Sequence, residues 1–334
     1  MSEPIPLLRV SGSHAEVGTQ IGRATAETVR RFAREPFDAE LVAAYRSVTL
    51  AHLPWVVEEV DAVAEAAGVD PLAAFAASIE ELAPASAAAG CTDLVATGDA
   101  TADGHVLVAH NNDLEAENEE DLVAIEWRVD GEPTIFTLGN GYWISVGWND
   151  AGLSVTGNEL TPNDEQVGVP RLLQMRDVLR RRTLADAVAA VVRRPRASSY
   201  NWVFAHSSGE AVDVEGSATA AGETTPRHGT LVHANHYEHP EMTRFEGRAR
   251  VDDSATRSCR AAALLADRDG PLTAARLQKM LCDHENAPES LCRHGDGDGV
   301  KTVFWCVADV TAGEIAYGRG NPCSSVTQTY RFER

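Results

Sequence analysis

Cys91 follows Gly90 in the stretch PASAAAGCTDLV (84–95), and this pair could form an unusual kind of nucleophile. If the peptide bond between Gly90 and Cys91 is cut, Cys91 carries a free α-amino group beside its thiol. The ordinary pKa of such an amine lies near neutral pH, so it can act as the general base for the thiol on the same residue. The arrangement is analogous to catalysis by an N-terminal threonine, with sulfur in place of oxygen. Cys91 is therefore the candidate nucleophile.

The cut itself can be intramolecular. The thiolate attacks the Gly90 carbonyl, the peptide rearranges to a thioester, and water then releases the amine. Because Gly90 has no side chain, its carbonyl stays accessible and its backbone can adopt a strained geometry. The small residues 85–89 would let the segment leave a tight site. The alternative interpretation is that Cys91 is a small buried apolar residue after a linker, and residue chemistry alone leaves both open.

Composition limits the class of protein. The chain has 334 residues, of which 44% are hydrophobic, and a net charge of −21 that argues against binding to nucleic acid or to anionic membranes. The N-terminal sequence MSEPIPLLRVSG does not resemble a signal peptide, and no segment approaches the roughly 18 apolar residues of a membrane span. The six cysteines show no CxxC spacing, which is typical of a reducing compartment. We expect a cytoplasmic protein.

The residue pattern predicts helices first and strands afterwards. Residues 13–83 are predicted to be helical, with a capping box between Ser13 and Glu16 and with Pro71 in the first turn of a later helix that precedes Pro84. From Cys91 onward, short strands separated by Gly and Asp turns dominate. A predicted helix at 170–194 and two more between 254 and 284 interrupt them. This order indicates an α+β fold, and the absence of GxGxxG and GxxxxGK[ST] argues against nucleotide-binding folds.

Seven separated stretches resemble, in order, one known family: the acyl-coenzyme A:6-aminopenicillanate acyltransferase-like proteins. These are the C45-type autoproteolytic members of the N-terminal-nucleophile hydrolases. The stretches are VSGSHAEVGTQIG (10–22), GCT (90–92), HNND (110–113), NDAGL (149–153) with Asn158, VHANH (232–236), Ser254-x-x-Arg257-x-x-Arg260, and SLCR (290–293).

The resemblance implies a fold and a processed chain. The fold would be a four-layer αββα N-terminal-nucleophile hydrolase fold. Residues 1–90 would form a helical pro-segment or α chain, and residues 91–334 a catalytic β chain that begins at Cys91, within one structural domain. Amphipathic helices in 1–90 should keep the two pieces associated.

The resemblance also implies roles for individual residues. Asp113 would orient the Cys91 amine and hold its charge state. Asn235 would donate its side-chain NH₂ to the tetrahedral oxyanion, and Asn158 would be a second donor. Thr92 would help position the scissile bond.

One departure concerns the acyl acceptor. The family's acyltransferase carries an arginine just before the strand that begins at Lys301 here, whereas the loop HGDGDGV has none and the nearest cations are Lys301 and Arg293. Water is therefore the default acceptor. The predicted function is an autoproteolytic cysteine amidohydrolase or acyltransferase that acts, without a cofactor, on a small N-acyl or aminoacyl amide through a thioester. The alternative is an uncleaved, non-catalytic binding or scaffold protein with the same fold.

Two His- and Cys-containing stretches allow a metal interpretation. The histidines of HANHYEH (233–239) are spaced by three, which does not place them on one face of a strand. Cys282-Asp283-His284 and Cys292-Arg293-His294 could form a zinc site, but the surrounding residues indicate a loop. We expect no metal.

Aromatic residues beside turns are candidates for a substrate pocket. Tyr142, Trp143 and Trp148 could hold an acyl or aryl group, with Lys301 as a nearby cation. Packing in the core is the alternative interpretation of the three aromatic residues.

Overall fold

The computed structural model describes residues 3–82, 90–193, 195–249, 251–296 and 299–333. Two sequence predictions fall outside these ranges. One is that the small residues 85–89 let the segment leave the site, and the other is that Pro84 ends the helical block. Within the described residues, the chain forms two β-sheets with helices on their outer faces.

The N-terminal part consists of one strand and five helices. They are β1 (Leu7–Gly12), α1 (His14–Ala24), α2 (Ala26–Phe32), α3 (Ala39–His52), α4 (Pro54–Ala67) and α5 (Pro71–Ala76). The capping box before α1 is confirmed, because the Ser13 nitrogen donates to Glu16 Oε2 at 2.8 Å and the Ser13 hydroxyl accepts from the Glu16 nitrogen. Pro71 begins α5 as predicted. The sequence did not predict β1, which lies before the helices.

The first sheet has eight strands in the order β1-β4-β5-β6-β7-β8-β9-β10. Its strands after β1 are β4 (Val123–Val129), β5 (Ile135–Asn140), β6 (Trp143–Asn149), β7 (Leu153–Asn158), β8 (Asn201–His206), β9 (Ala211–Gly216) and β10 (Ala221–Thr224). The pairing of β1 with β4 is parallel and the others are antiparallel. The predicted helix at 170–194 is two helices, α6 (Arg171–Leu179) and α7 (Leu184–Val192), because Thr183 caps a new N-terminus.

The second sheet has six strands in the order β11-β2-β3-β12-β13-β14. They are β2 (Gly90–Gly98), β3 (Gly104–Glu115), β11 (Thr230–His233), β12 (Val300–Asp309), β13 (Glu314–Arg319) and β14 (Gln328–Arg331). Two further helices, α8 (Asp252–Ala266) and α9 (Ala274–Leu281), lie against this sheet.

Three apolar clusters separate the layers. One, with Val17 and Trp127, fills the space between α1–α7 and the eight-stranded sheet. A second, with Phe136, lies between the two sheets, and a third, with Leu94 and Leu265, lies between the six-stranded sheet and α8 and α9. Each sheet is thus covered on one face by helices and on the other by the second sheet. The structure confirms the predicted four-layer αββα architecture.

The N-terminal segment is joined to the rest of the chain by backbone and side-chain contacts. Strand β1 pairs with β4 over residues 7–12 and 124–129. The fully buried Glu59 of α4 accepts hydrogen bonds from Arg176 of α6, at 2.9 and 3.1 Å, and from the Tyr142 hydroxyl, at 2.8 Å. Among the described residues, no helix has the length and apolar character needed to cross a membrane.

Candidate active site

Cys91 lies near the start of β2, and its neighbours are set by the antiparallel pairing of β2 with β3. In this ladder Cys91 is opposite Asn112, and Gly90 is opposite Asp113. Side chains alternate between the two faces of a sheet. Cys91 and Asn112 therefore face the space between the sheets, whereas Thr92 and Asp113 face α8 and α9.

The backbone nitrogen of Cys91 is held by Asn235. It donates to Asn235 Oδ1 at 2.7 Å, and Arg257 Nη2 donates to the same oxygen at 3.0 Å. Asn235 Nδ2 donates to the backbone oxygen of Glu159 at 3.1 Å. Two donors at one atom and an acceptor at the other determine the orientation of this amide. The oxygen of Asn235 therefore faces the Cys91 nitrogen, and its NH₂ group is bonded to the Glu159 carbonyl.

Arg257 of α8 binds the same short segment of backbone. This fully buried side chain donates through Nη1 to the Cys91 carbonyl oxygen at 2.5 Å and to Thr92 Oγ1 at 2.9 Å. A β-carbon on Gly90 would lie 2.7 Å from Arg257 Nη2 and 3.4 Å from Asn235 Oδ1. The close approach of Arg257 therefore requires glycine at position 90.

Asp113 is the buried carboxylate of this region. Its Oδ1 accepts a hydrogen bond from Thr302 Oγ1 at 2.7 Å. Burial raises the pKa of Asp113 above its ordinary value, although the charge of Arg257, the Thr302 hydroxyl and the charge of Arg293 oppose this shift. Burial also lowers the pKa of Arg257, which Asp113 opposes. Because a guanidinium stays protonated in proteins, Asp113 is the member of this group whose charge depends on pH.

The sulfur of Cys91 has polar neighbours on the inner face of β3. Asn112 Nδ2 lies 3.4 Å from Cys91 Sγ, where its N–H stabilises developing negative charge. One step along the same face, His110 Nδ1 lies 3.0 Å from Asp93 Oδ1. Burial lowers the pKa of His110, but the charge and hydrogen bond of Asp93, followed by the Cys91 side chain, outweigh it and raise the pKa to about 10.

Asn158, at the end of β7, is oriented by two polar neighbours. Its Oδ1 accepts from Asn201 Nδ2 at 3.2 Å and lies 3.0 Å from His233 Nδ1. Within the described ranges, the buried Nδ2 of Asn158 has no hydrogen-bond partner. This N–H group is therefore available to an oxyanion, which is the role that the resemblance implies for it. Asn158 directly precedes Glu159, whose backbone oxygen holds Asn235.

His233 lies between Glu215 and Asn158 and holds the Asn158 amide in place. Its Nε2 lies 3.1 Å from Glu215 Oε1, while His236 bonds Ser254 instead, so the histidines of HANHYEH do not share a ligand position. Burial lowers the pKa of His233, but the carboxylates of Asp213 and Glu215 raise it to about 9. The protonated ring then donates through both nitrogens, which fixes the Asn158 amide.

The predicted pocket aromatics are not close to Cys91. Tyr142 and Trp143 belong to the core between the outer helices and the eight-stranded sheet, where Trp143 Nε1 donates to Ser78 Oγ at 3.2 Å. Trp148 lines a cleft of about 450 Å³ together with Asp309. That cleft is at the far end of β12 from Thr302, seven residues away or roughly 20 Å. Tyr142 and Trp143 thus have the core positions of the alternative interpretation, whereas Trp148 lines a cleft away from Cys91.

Lys301 also lies outside the group of residues around Cys91. Its ammonium pairs with Glu119 Oε2 at 2.5 Å. Arg257 is a cation that contacts Cys91. It belongs to one of the family stretches, but the sequence does not show that it lies beside Cys91.

Comparisons with known proteins agree with the family resemblance. The sequence model of the acyl-coenzyme A:6-aminopenicillanic acid acyl-transferase family matches residues 100–323. Among curated protein sequences, none matches the chain.

Similar solved structures include a hydrolase and an acylase by name. A single-residue variant of conjugated bile acid hydrolase from Clostridium perfringens is 13% identical, with a TM-score of 0.49, over 73% of this chain and 97% of that chain. Penicillin V acylase from Agrobacterium tumefaciens is 14% identical, with a TM-score of 0.45, over 69% of this chain and 83% of that chain. Because the family match spans about two thirds of the sequence, the chain belongs to the acyl-coenzyme A:6-aminopenicillanic acid acyl-transferase family and is an enzyme.

Proposed function

We propose that this enzyme cuts its own Gly90–Cys91 bond and then uses Cys91 as an N-terminal nucleophile. Its substrate is a small N-acyl or aminoacyl amide, which reacts through a thioester on Cys91. The observation that carries the proposal is the set of buried contacts made by Asn235 and Arg257 to the backbone of Gly90–Cys91. A cysteine that only fills the core needs neither contact.

The same contacts support the cutting step. The Cys91 thiolate attacks the carbonyl carbon of Gly90, and the C–N bond breaks as the Cys91 nitrogen takes up a proton. Water then hydrolyses the thioester, which yields a Gly90 carboxylate and restores the thiol. Asn235 holds the leaving nitrogen at 2.7 Å, and Asn112 donates toward the sulfur at 3.4 Å. Both groups are in place before the reaction, so little reorganisation is needed.

After processing, the free amine of Cys91 serves as the general base. It accepts the thiol proton, the sulfur attacks the substrate carbonyl, and the developing oxyanion binds the Nδ2 group of Asn158, which has no partner among the described residues. The proton passes to the departing amine. Asn235 Oδ1 keeps the Cys91 nitrogen in position, and water releases the acyl group from the thioester.

Three observations concern the acyl acceptor, the association of the two pieces and the location of the enzyme. Lys301 is paired with Glu119 and is not positioned as a substitute for the arginine of the acyltransferase, so water remains the proposed acceptor. The two products should stay associated, because β1 pairs with β4 and Glu59 pairs with Arg176. The six cysteines, all among the described residues, form no disulfide with one another, which supports the proposed cytoplasmic location.

The test is the intact mass of the purified protein under denaturing conditions. Cutting after Gly90 should convert the 35.8 kDa chain into pieces of about 10 and 26 kDa, and the larger piece should begin Cys-Thr-Asp. Cys91→Ala should remain whole and inactive. Cys259→Ser is the matched control, because it removes an exposed thiol from α8, and it should process like the wild type.

A single 35.8 kDa species in the wild type after long incubation would overturn the autoproteolysis proposal. Membership of an acyltransferase family is evidence against the non-catalytic scaffold alternative. If processed protein releases acyl groups from a panel of acylated amines and Cys91→Ala does not, the nucleophile is assigned.

A further inference from the structure

Two histidines and two cysteines, residue types that can bind a metal, meet beyond the start of β12 and the end of β13, apart from Cys91. His284 follows α9, Cys292 and His294 lie in the loop before β12, and Cys323 follows β13. One ligand atom from each of the four lies within 4.8 Å of the others. The fold brings together residues that are up to 39 positions apart in the sequence, from 284 to 323.

Four of the six distances between these atoms are close to those of a tetrahedral site, and the other two, from His284 to the sulfurs, are within 4.8 Å. The two sulfurs are 3.6 Å apart, and His294 Nε2 lies 3.6 Å from Cys292 Sγ and 3.5 Å from Cys323 Sγ. The Nε2 atoms of His284 and His294 are 3.0 Å apart. Tetrahedral zinc with its usual bond lengths requires about 3.8 Å between sulfurs, about 3.5 Å between sulfur and nitrogen, and about 3.3 Å between nitrogens.

We propose that His284, Cys292, His294 and Cys323 bind a structural Zn²⁺ ion. Each thiol would release its proton to solvent on binding, and each imidazole would be a neutral ligand through Nε2. Four protein ligands leave no open position for water or substrate, so the ion stabilises the fold and does not take part in catalysis. The sequence-based expectation of no metal is therefore replaced by this proposal.

The structure also changes the ligand set that the sequence suggested. Cys282, which precedes His284 by two residues, directs its thiol to the backbone oxygen of Gln278 at 3.3 Å. Cys323 takes its place from a distant part of the chain. Cys282 and Cys323 therefore form a matched pair of cysteines for a test, one outside the site and one inside it.

The surroundings of Cys292 support metal binding. Its side chain is buried, and Asn321 Nδ2 approaches its sulfur at 3.6 Å. The Cys292 nitrogen donates to the Asp283 oxygen at 3.0 Å, which joins the two ends of the loop that carries the ligands. N–H groups directed at a ligand sulfur are typical of the outer shell of zinc sites.

A disulfide between Cys292 and Cys323 is the competing explanation of the short sulfur separation. A disulfide would require the sulfurs to approach to about 2.05 Å. It would not account for the two histidine nitrogens that lie close to the same sulfurs. A cation bound by all four side chains would account for all of them.

The proposed ion would hold a segment that supports the Cys91 site. Arg293 lies between two of the ligands, and its nitrogen donates to Thr302 Oγ1 at 3.1 Å. The Thr302 hydroxyl donates in turn to Asp113. Loss of zinc should therefore loosen the support of Asp113 as well as the loop itself.

The experiment measures metal content by mass spectrometry in protein purified without a metal-affinity column. Wild type should hold one zinc per chain, and Cys282→Ser should hold the same. Cys323→Ser and His294→Asn, which change exposed positions, should lose the zinc while far-ultraviolet circular dichroism shows that they remain folded. Cobalt-substituted wild type should show thiolate-to-metal charge transfer and tetrahedral d–d bands, and Cys323→Ser should show neither.

Zinc in the wild type no higher than in Cys323→Ser, after expression in zinc-supplemented medium, would overturn the proposal. So would a mass two hydrogen atoms below that of the reduced chain, with Cys292 and Cys323 joined in a peptide map. A chelator should lower the melting temperature of the wild type and leave that of Cys323→Ser unchanged. None of these readouts depends on activity, so the result stands apart from the test of the proposed function.

Discussion

Two buried arginines in this enzyme have opposite electrostatic surroundings. Arg176 of α6 lies between the helices and the eight-stranded sheet and pairs with Glu59 at 2.9 Å and Glu132 at 2.8 Å. Burial alone would lower its pKa, but the two carboxylates raise it above the ordinary value. Arg257 of α8 is equally buried, yet its closest contacts are neutral oxygens of Cys91, Thr92 and Asn235, and burial lowers its pKa.

The difference distinguishes a structural ion pair from the candidate active site. Around Arg176 the positive charge is matched by two carboxylates within the core. The pair of Arg176 with Glu59 joins α4 of the N-terminal segment to α6. Around Arg257 a positive charge is placed on the backbone of one residue, with Asp113 as its buried counter-charge. Such incompletely matched charges are typical of functional sites. Substitutions in the two regions should therefore affect different measurements.

The largest expected effect is on stability, from Arg176→Met. Removing one partner of a buried ion pair leaves Glu59 uncompensated, which should lower the free energy of unfolding by about 3–5 kcal/mol. Chemical denaturation of the Cys91→Ala background measures this in an uncut chain. Arg193→Met is the control, because Arg193 pairs with Asp177 from a partly exposed position and should change stability by less than about 1 kcal/mol. Equal effects of the two substitutions would contradict a structural role for Arg176.

Asn158→Ala should have the next largest effect, on catalysis. Loss of one oxyanion donor lowers kcat by about 10²–10³-fold, or roughly 2.7–4 kcal/mol in the activation free energy. Melting temperature and processing by mass spectrometry show whether the fold is retained. Asn163→Ala provides a control, since the amide of Asn163 bonds the Arg244 backbone at an exposed position. Unchanged kcat in Asn158→Ala would remove Asn158 from the proposed oxyanion site.

Gly90→Ala tests the close approach of Arg257 to the cut bond. The added β-carbon would lie 2.7 Å from Arg257 Nη2, so the guanidinium must shift and lose part of its contact with Cys91. Overpacking of this kind costs about 1–3 kcal/mol, and processing should slow correspondingly. The rate is followed as conversion of full-length chain to the two pieces. Gly98→Ala, where no atom lies within 4 Å, should leave the rate within about twofold of the wild type apart from its own backbone strain.

The smallest expected effect, taken per pH unit, is a slope of stability with pH. The pKa of His110 is raised to about 10 in the fold, so its contribution is fully present below the pKa of the unfolded chain and is lost as pH rises through about 10. Between about pH 6.5 and 10 the free energy of unfolding should fall by up to about 1.4 kcal/mol per pH unit from this group. His233 adds a similar fall up to about pH 9.

His110→Gln isolates the contribution of His110. Its unfolding free energy should depend less on pH than that of the wild type over this window, while the slope due to His233 remains. Parallel pH profiles of the two proteins would show that His110 is neutral in the fold.

Much of the fold could be predicted from local residue patterns. The capping box at Ser13, the strands on either side of the 98–104 turn and the order of helices and strands all depend on residues close together in the sequence. The prediction failed where local patterns are ambiguous. Strand β1 is short and is stabilised by pairing with β4, and the 170–194 region contains one helical pattern but two helices.

The residues of the candidate site also fall into those that local sequence predicts and those that only the fold brings in. Cys91, Thr92 and Asp113 follow from motifs on one hairpin, and alternation along that hairpin is the signal that would have placed Asn112 and His110 beside the thiol. No local signal shows that Arg257, 166 residues from Cys91, reaches its carbonyl oxygen. The pocket role predicted for Tyr142 and Trp143 rested on residue type, which does not distinguish a core aromatic from a ligand-binding one.

The sequence by itself determined the α+β pattern and the Gly90–Cys91 nucleophile candidate, because each depends on residue types at short spacings. It also carried the resemblance to the family, through seven separated stretches in order. Only the tertiary structure decided that the oxygen of the Asn235 amide bonds Cys91 and that Arg257 is the arginine beside it. It also decided that Cys323, and not Cys282, lies with Cys292 and the two histidines. The physical reason is that hydrogen bonds and metal ligation depend on ångström-scale placement of side chains from distant segments. That placement is set by how the sheets and helices pack together.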